Sequence, residues 1–220
     1  MKHLVLTGAN RGIGLELARH YQAGGWQVTA VCRESSPELA ALTVKVIAGI
    51  DVTDEHCLAG LAVGLEGQPI DLLINNAGIL CSETLGTITP GSLRLQMEVN
   101  AFAPLLICQA LLPNLARGSK IANITSRMGS IADNDSGGSY GYRASKAALN
   151  AFGKSLAIDL KARGIAVVQL HPGFVKTRMV NFAGVLSAEE SAAGLAARIE
   201  ELTLETSGSF RHCNGEELPW

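Results

Sequence analysis

The sequence predicts one α/β domain over residues 1–220: doubly wound, with a central parallel sheet of about seven strands and helices on both faces. Three observations lead there. Short, near-continuously apolar runs alternate with stretches of helical periodicity along the chain, the pattern of strands covered on both faces by crossover helices. A glycine-rich turn follows the first apolar run and opens the first helical one, as at the start of a βαβ unit. The 220 residues, 47% hydrophobic and 17% charged, suffice for one well-buried domain and fall short of two ordinary ones.

His3 to Leu6 is the first strand, entering Thr7-Gly8-Ala9-Asn10-Arg11-Gly12-Ile13-Gly14, after which LELARHYQAGG has helical periodicity and a glycine stop. Trp26 to Cys32 is the second strand, turning at Arg33 to Pro37. A short helix, the strand Val44 to Ile50 closed by Asp51, a helix from Asp54 to Leu65 and the strand Ile70 to Ile74 follow, the last ending in Asn75-Asn76-Ala77-Gly78. From Thr89 to Arg117 a long helical pattern carries Asn100 and tolerates Pro104 with a kink. A strand from Ile121 ends in Thr125-Ser126, and after a Gly/Asp/Asn/Ser loop a helix opens with Tyr142. Ile165 to Leu170 is a β-branched strand leading into His171-Pro172-Gly173-Phe174-Val175-Lys176-Thr177; a helix from Ser187 to about Leu202 and a strand near Phe210 to Cys213 complete the alternation. In such sheets ligands bind beyond the carboxyl ends of the strands. The polar clusters at Gly8 to Gly14, Arg33, Asp51, Asn76, Ser126 and His171 to Thr177 all follow such ends, so one crevice collects them.

Composition narrows the partners. The 18 basic and 20 acidic residues nearly cancel, and no basic block or basic–aromatic stripe points to nucleic acid. The opening MKHLVLTG reaches a turn signal too early for a signal-peptide core, and the apolar run Ala101 to Leu112 is shorter than the roughly 20 residues a membrane span needs. Five cysteines, at 32, 57, 81, 108 and 213, show no C-x-x-C spacing, which fits free thiols in a reducing, cytoplasmic setting. Cys81 and Cys108 read as buried apolar residues. No His/Asp/Cys cluster has metal-ligand spacing, so no metal is expected.

The chemistry is carried by two stretches. Gly8, Gly12 and Gly14 let the backbone turn tightly and aim N–H groups and a helix N-terminus at a pyrophosphate. At the end of the second strand Cys32 stands where an acid would hold a ribose 2′-hydroxyl, with Arg33 beside it and Arg11 inside the glycine turn. Arginine there accommodates a 2′-phosphate, so NADP(H) is expected; the alternative is that Arg33 is a solvated charge and Glu34 the acid. In the second stretch, Tyr142 and Lys146 are four apart and share one helix face, where a cation can lower a phenol's pKa and ready it for acid–base work. Tyr140 has Ala144 at that spacing instead. Ser126, at the carboxyl end of the preceding strand, is placed to hold a substrate oxygen.

Thr7-Gly8-x-x-x-Gly12-x-Gly14, Asn75-Asn76-Ala77-Gly78, Asn100, Ser126, Tyr142-x-x-x-Lys146 and Pro172-Gly173-x-x-x-Thr177 together resemble the classical short-chain dehydrogenase/reductase family, over Lys2 to about Thr177. The phrases SRMGSI, GYRASKAALN and NGEELPW look most like its C-factor-like carbonyl reductases. The resemblance implies a Rossmann domain and an NADPH-dependent reductase of an aldehyde or ketone. In it Tyr142 would be the general acid, Lys146 would hold the nicotinamide ribose and lower the phenol's pKa, Ser126 would stabilise the substrate oxygen, and Asn100 would bind a relay water. The implied cofactor set is Gly8, Asn10, Arg11, Gly12, Ile13 and Gly14 in the turn; Arg33; Asp51 and Val52 at the adenine; Asn76, Ala77 and Gly78 at the adenosine ribose; Tyr142 and Lys146; and Pro172, Gly173, Val175 and Thr177 at the carboxamide. A homodimer or homotetramer, built on the helices carrying Asn100 and Tyr142 to Arg163, is also implied. The loop Asp133 to Gly138 is longer than the family's usual spacing, and the segment Arg178 to Leu186, where a substrate lid is expected, is short, so the substrate site should be open and shallow. His171, before Pro-Gly at a strand end, reads as structural. Two other readings stand beside the reductase: an NADP(H)-binding regulatory or signalling protein with little turnover, and a 3-oxoacyl carrier-protein-type reductase using Arg127, Lys176 and Arg178 as a basic patch.

Overall fold

The apolar runs pair side by side into one sheet. In the computed structural model, which describes residues 1–220, seven strands run parallel in the order β3-β2-β1-β4-β5-β6-β7: β1 His3–Thr7, β2 Gln27–Val31, β3 Lys45–Ile47, β4 Ile70–Asn75, β5 Leu115–Ile124, β6 Ala166–His171 and β7 Ser209–His212. Every strand-to-strand pairing is parallel. Between them lie α1 Gly12–Ala23, α2 Pro37–Ala40, α3 Glu55–Gly64, α4 Pro90–Met97, α5 Ala103–Ala110, α6 Tyr140–Asp159 and α7 Ala188–Glu201.

Side chains alternate across each strand and so divide the core in two. Leu4, Leu6, Leu72, Ile74 and Val168 pack with Leu17 and Tyr21 of α1 and Leu195 and Ile199 of α7. Val5, Leu73, Ile121 and Val167 pack on the other face with Leu58 and Leu61 of α3, Ile107 of α5 and Ala157 of α6. The helices therefore cover both faces, as the unbroken apolar strands require.

The second face also holds a buried amide ladder. Asn75, Asn123 and Gln169 are register partners on β4, β5 and β6. Asn75 Nδ2 donates to Asn123 Oδ1 at 2.9 Å, and Asn123 Nδ2 to Gln169 Oε1 at 2.8 Å. α6 approaches this ladder through Gly153: a Cβ there would stand 1.9 Å from Gln169 Oε1. Any larger residue at 153 would push the catalytic-candidate helix off the sheet.

Five expectations change. The helix predicted from Thr89 to Arg117 is broken into α4, a π turn over Glu98–Phe102, α5 and a 3₁₀ turn over Leu112–Asn114. α5 ends at Ala110, ahead of the 3₁₀ turn that contains Pro113, and β5 begins at Leu115, six residues earlier than the apolar pattern suggests. The kink lies at the π turn; Pro104 stands in the first turn of α5, where its missing N–H costs little. Cys81 is half-buried rather than buried, whereas Cys108 is 2% exposed. α6 opens at Tyr140, two residues before the predicted start. No helix is long and apolar enough to cross a membrane.

Candidate active site

The strand order reverses between β1 and β4, and the crevice above that point is where open α/β sheets bind ligands. Here the glycine turn after β1 meets the Asn-Asn-Ala-Gly turn after β4. Thr7 Oγ1 accepts from the N–H groups of Asn76 and Ala77, both at 3.1 Å, and Asn76 Nδ2 donates to the carbonyls of Thr7 and Gly8 at 3.1 Å. The Asn76 side-chain amide nitrogen thus locks the two turns together. Gly14 is dictated by this junction: a Cβ would lie 2.1 Å from the Gly8 oxygen and 2.5 Å from Asn76 Nδ2. Gly8 itself has φ +66°, the left-handed region that glycine tolerates. Thr7, whose hydroxyl ties the junction, is a contributor that spacing alone did not single out.

α1 begins at Gly12 with Arg11 as its N-cap and no side-chain cap, so its first N–H groups are open. Ile13 is half-buried behind them. At the β2 end Cys32 is 5% exposed, its thiol pushed up by burial, while Arg33 and Glu34 are exposed and Asn10 Nδ2 holds the Glu34 carbonyl at 2.9 Å. Asp51 accepts from the backbone N–H (2.9 Å) and hydroxyl (2.8 Å) of Thr53. Those two bonds, with a smaller contribution from Arg33, hold its carboxyl below the usual range. Val52 follows, half-buried against the α3–α5 side of the core. Across the crevice Thr177 reaches Gly12: a Cβ on Gly12 would be 3.4 Å from Thr177 Cγ2. Pro172 and Gly173 are half-buried and Val175 is 5% exposed.

At the centre, Ser126 follows β5 and Tyr142 and Lys146 project from α6. All three are buried, at 7%, 9% and 4% exposure, whereas Tyr140 is 41% exposed. Lys146 Nζ lies 5.9 Å from the centre of the Tyr142 ring and donates to the Ile124 carbonyl at 2.8 Å. The sequence led us to expect a phenol with a lowered pKa. In this structure burial instead pushes Tyr142 upward, with Ser126 pulling the other way, because the ammonium is turned to Ile124. The same burial pushes Lys146 down to about 8.

This has a measurable consequence. A lysine near 8 when folded and near 10.4 when unfolded makes the folded state bind fewer protons between those values, so stability rises with pH across that window. The cost of charging Lys146, about 3 kcal/mol, is complete below pH 8 and disappears toward pH 10.4. Denaturant midpoints of the cofactor-free protein should therefore rise from pH 7.5 to 10 relative to those of Lys146→Met. Parallel pH curves for the two proteins would refute this.

Asn100, fully buried in the π turn, uses its whole side chain: Nδ2 donates to the Ile79 carbonyl (2.9 Å) and Ser145 Oγ (3.0 Å), and Oδ1 accepts from the Ile79 N–H (2.8 Å). Its amide is not free for a water. Gly78 lies between: a Cβ there would be 3.2 Å from Asn100 Oδ1 and 3.6 Å from Lys146 Nζ.

Glu83 is a further contributor the sequence did not flag. Ser139, the N-cap of α6, is in the left-handed region and gives no side-chain cap; the 6%-exposed Glu83 carboxylate supplies one, accepting from the Gly141 N–H at 2.7 Å and from Gln96 Nε2 at 3.0 Å and Ser92 Oγ. A lone acid in a loop carries no local pattern, so only the tertiary structure reveals it. The long loop is pinned as well: Arg127 pairs with Asp133 (3.1 Å) and Glu216 (2.9 Å), and Arg143 Nη2 donates to Ser136 Oγ at 2.8 Å. Arg127 is therefore not available to a basic patch, while Lys176 and Arg178 remain exposed. Burial, His212 and Arg127 push His171 down to about 3, so it is no base near neutrality. In the short segment over Arg178 to Leu186, Met179, Phe182 and Val185 are exposed. No group of three His, Cys, Asp or Glu residues is arranged to hold a metal.

Known proteins resemble this chain in sequence and in fold. The short chain dehydrogenase family model matches residues 2–184. A 1-hydroxy-2-glutathionyl-2-methyl-3-butene dehydrogenase of Rhodococcus sp. strain AD45 is 38% identical over 226 residues, covering 100% of both chains. The C-signal protein of Myxococcus xanthus is 42% identical over 157 residues, 69% of this chain and 93% of that one. Among solved structures, an NADPH-bound carbonyl reductase from chicken fatty liver superposes with a TM-score of 0.92 at 32% identity, covering 100% of this chain and 99% of that one.

Proposed function

We propose that this chain, which belongs to the short-chain dehydrogenase family, is an NADPH-dependent reductase that converts an aldehyde or ketone to an alcohol. The observation that carries the reading is the burial of Ser126, Tyr142 and Lys146 together at the carboxyl end of β5, beside the glycine turn. The cofactor fits features of the crevice. The uncapped α1 N-terminus suits a pyrophosphate, and Arg11 and Arg33, exposed and outside the ion pairs of the protein, suit a 2′-phosphate. Lys146 makes a single hydrogen bond and so keeps two N–H groups for ribose hydroxyls. The NADPH-bound chicken relative is consistent with that choice.

When bound, the nicotinamide supplies hydride to the carbonyl carbon. Ser126 donates a hydrogen bond to the carbonyl oxygen, and Tyr142, kept protonated by its raised pKa, gives that oxygen its proton as negative charge develops there. Lys146 then stabilises the phenolate and passes a proton toward it, and the Asn100 carbonyl accepts from a water that leads to solvent. Within the buried site these charges act in a low dielectric, where their interactions are stronger than in water. Leu95, Phe102, Leu106 and Ile158, exposed along α4 to α6, support a homodimer or homotetramer, and the five free cysteines support a cytoplasmic setting for the single domain.

A second reading runs the same site in reverse, oxidising the alcohol of a glutathione thioether. The match across the full length of both chains to the Rhodococcus dehydrogenase favours it, and exposed Lys176 and Arg178 could meet the conjugate's carboxylates. The test is nicotinamide absorbance over two panels: aldehydes, ketones and diketones with NADPH or NADH, and hydroxylated glutathione thioethers with the oxidised cofactors. Turnover of simple carbonyls requiring NADPH is the expected result. Turnover of thioethers alone would replace it with the second reading, and tight NADPH binding without any turnover would favour a binding protein of the kind considered above.

A further inference from the structure

At the end of the sheet opposite the active-site crevice, the first residues of β1, β4 and β5 and the facing sides of α1 and α7 surround a cavity of about 430 Å³. That volume falls within the usual range for small-molecule sites. Its wall is half apolar, with one aromatic side, and half polar, with Lys2, His20, Asp71, Lys120 and Glu200 among the lining residues. Tyr21 and Trp26 meet edge to face, 5.1 Å between ring centres, and Ala193 and Ala197 present one side of α7.

Three donors converge on it beside two carboxylates, Asp71 and Glu200. Tyr21 lines the cavity, and although the residue as a whole is 6% exposed its hydroxyl makes no hydrogen bond within the protein, which leaves it free to meet a ligand. Burial and Glu200 push its pKa upward, so it stays a neutral hydroxyl at any working pH. Lys120 Nζ caps the end of α7, donating to the carbonyls of Ile199 (2.7 Å) and Glu200 (2.8 Å), and keeps a third N–H. Lys2 Nζ lies 5.3 Å from the centre of the Trp26 ring. Burial first, and then the charge of Lys2, push Lys120 downward, against a counter-pull from Glu200. An anion between the two ammonium groups would relieve that repulsion. Of the lining carboxylates, Asp71 Oδ2 is already taken by the His3 N–H at 2.7 Å, and Glu200 is exposed, where solvent screens it.

We propose that this cavity binds a small aromatic carboxylate, its ring against Tyr21, Trp26 and the alanines of α7 and its carboxylate accepting from the Tyr21 hydroxyl and the Lys120 ammonium. A phosphate ester without a ring would leave Tyr21, Trp26 and the alanines of α7 uncovered. The site is separate from the crevice and does not depend on the reductase reading.

The probe is 2-naphthoate, followed by fluorescence in a Trp220→Phe background that leaves Trp26 as the sole indole, with NADPH present throughout to fill the crevice. We expect saturable quenching, weakened about 10-fold or more in Tyr21→Phe, since a hydrogen bond to a charged group is lost, and abolished in Ala197→Phe, which fills the cavity. The neutral analogue 2-naphthamide should bind more weakly than 2-naphthoate. Both variants are to be checked for an unchanged thermal midpoint; Tyr21→Phe removes only an unpartnered hydroxyl and should retain the fold. No saturable quenching up to about 10 mM, a range that covers even weak sites, would overturn the proposal. So would binding that both variants leave intact, or equal affinity for 2-naphthamide.

Discussion

Tyr142→Phe is expected to lower kcat by about 10³-fold, within the usual span for losing a general acid, while NADPH affinity changes by no more than a few-fold. The ring that fills this buried position is kept, so packing is preserved and only the oxygen is lost. Lys146 is held by the Ile124 carbonyl rather than by the phenol, so the group that would meet the ribose stays in place. Tyr140→Phe is the control: its ring is 41% exposed, and turnover should be unchanged. The pH profile adds a second, independent sign. Because Tyr142 stands above its ordinary value, it remains a loaded acid through neutrality. Lys146, near 8, loses its proton first, and kcat/KM for carbonyl reduction should fall as pH rises above about 8. Equal losses in Tyr140→Phe and Tyr142→Phe, or a Tyr142→Phe protein with normal turnover, would remove Tyr142 from the chemistry.

What the sequence reveals here follows from where the information is stored. Runs such as LVLT and LLIN are apolar on both sides because both sides are buried, and the turns between them carry glycines that close contacts require, as at Gly14 against the Gly8 carbonyl. Those features are local, and the strand–turn–helix order is legible from them. The break in the Thr89 to Arg117 helix is less so. Its apolar periodicity continues through the π turn, and the early part of β5, Ala-Arg-Gly-Ser, is polar because its residues Ala116 to Gly118 are exposed. The sign of the Tyr142 shift was hidden for another reason. Spacing reports that two groups are near one another but says nothing of how much water each has lost, and desolvation outweighs the Ser126 hydrogen bond here. Glu83 belongs with these: it caps α6 from 58 residues away, a relation that no window of sequence contains.

Arg33→Ala is expected to raise KM for NADPH about 10- to 100-fold, the loss of a charge-assisted contact to a phosphate, and to leave KM for NADH nearly unchanged. Cys32, at the end of β2 where a ribose-binding acid is expected, is buried and held as a thiol, so nothing there rewards a free 2′-hydroxyl or repels a 2′-phosphate. Arg33 is exposed next to it, on a turn whose backbone is fixed by Gly49 N–H donating to the Arg33 carbonyl at 2.9 Å and by Asn10 donating to that of Glu34 at 2.9 Å. The guanidinium thus projects from a rigid base. Asp51 also acts on Arg33, though weakly, and its Oδ1 is engaged by two bonds from Thr53. Because the effect is one of exposed charge, it should shrink with added salt. Glu34→Ala separates the remaining possibility: if Glu34 were the ribose acid, that variant would weaken NADH selectively, and Arg33→Ala would be silent with both cofactors. Should Arg33→Ala weaken NADPH and NADH equally, the arginine positions the turn rather than reading the 2′-phosphate, and Arg11, the remaining exposed cation at the α1 N-cap, becomes the residue that selects NADPH.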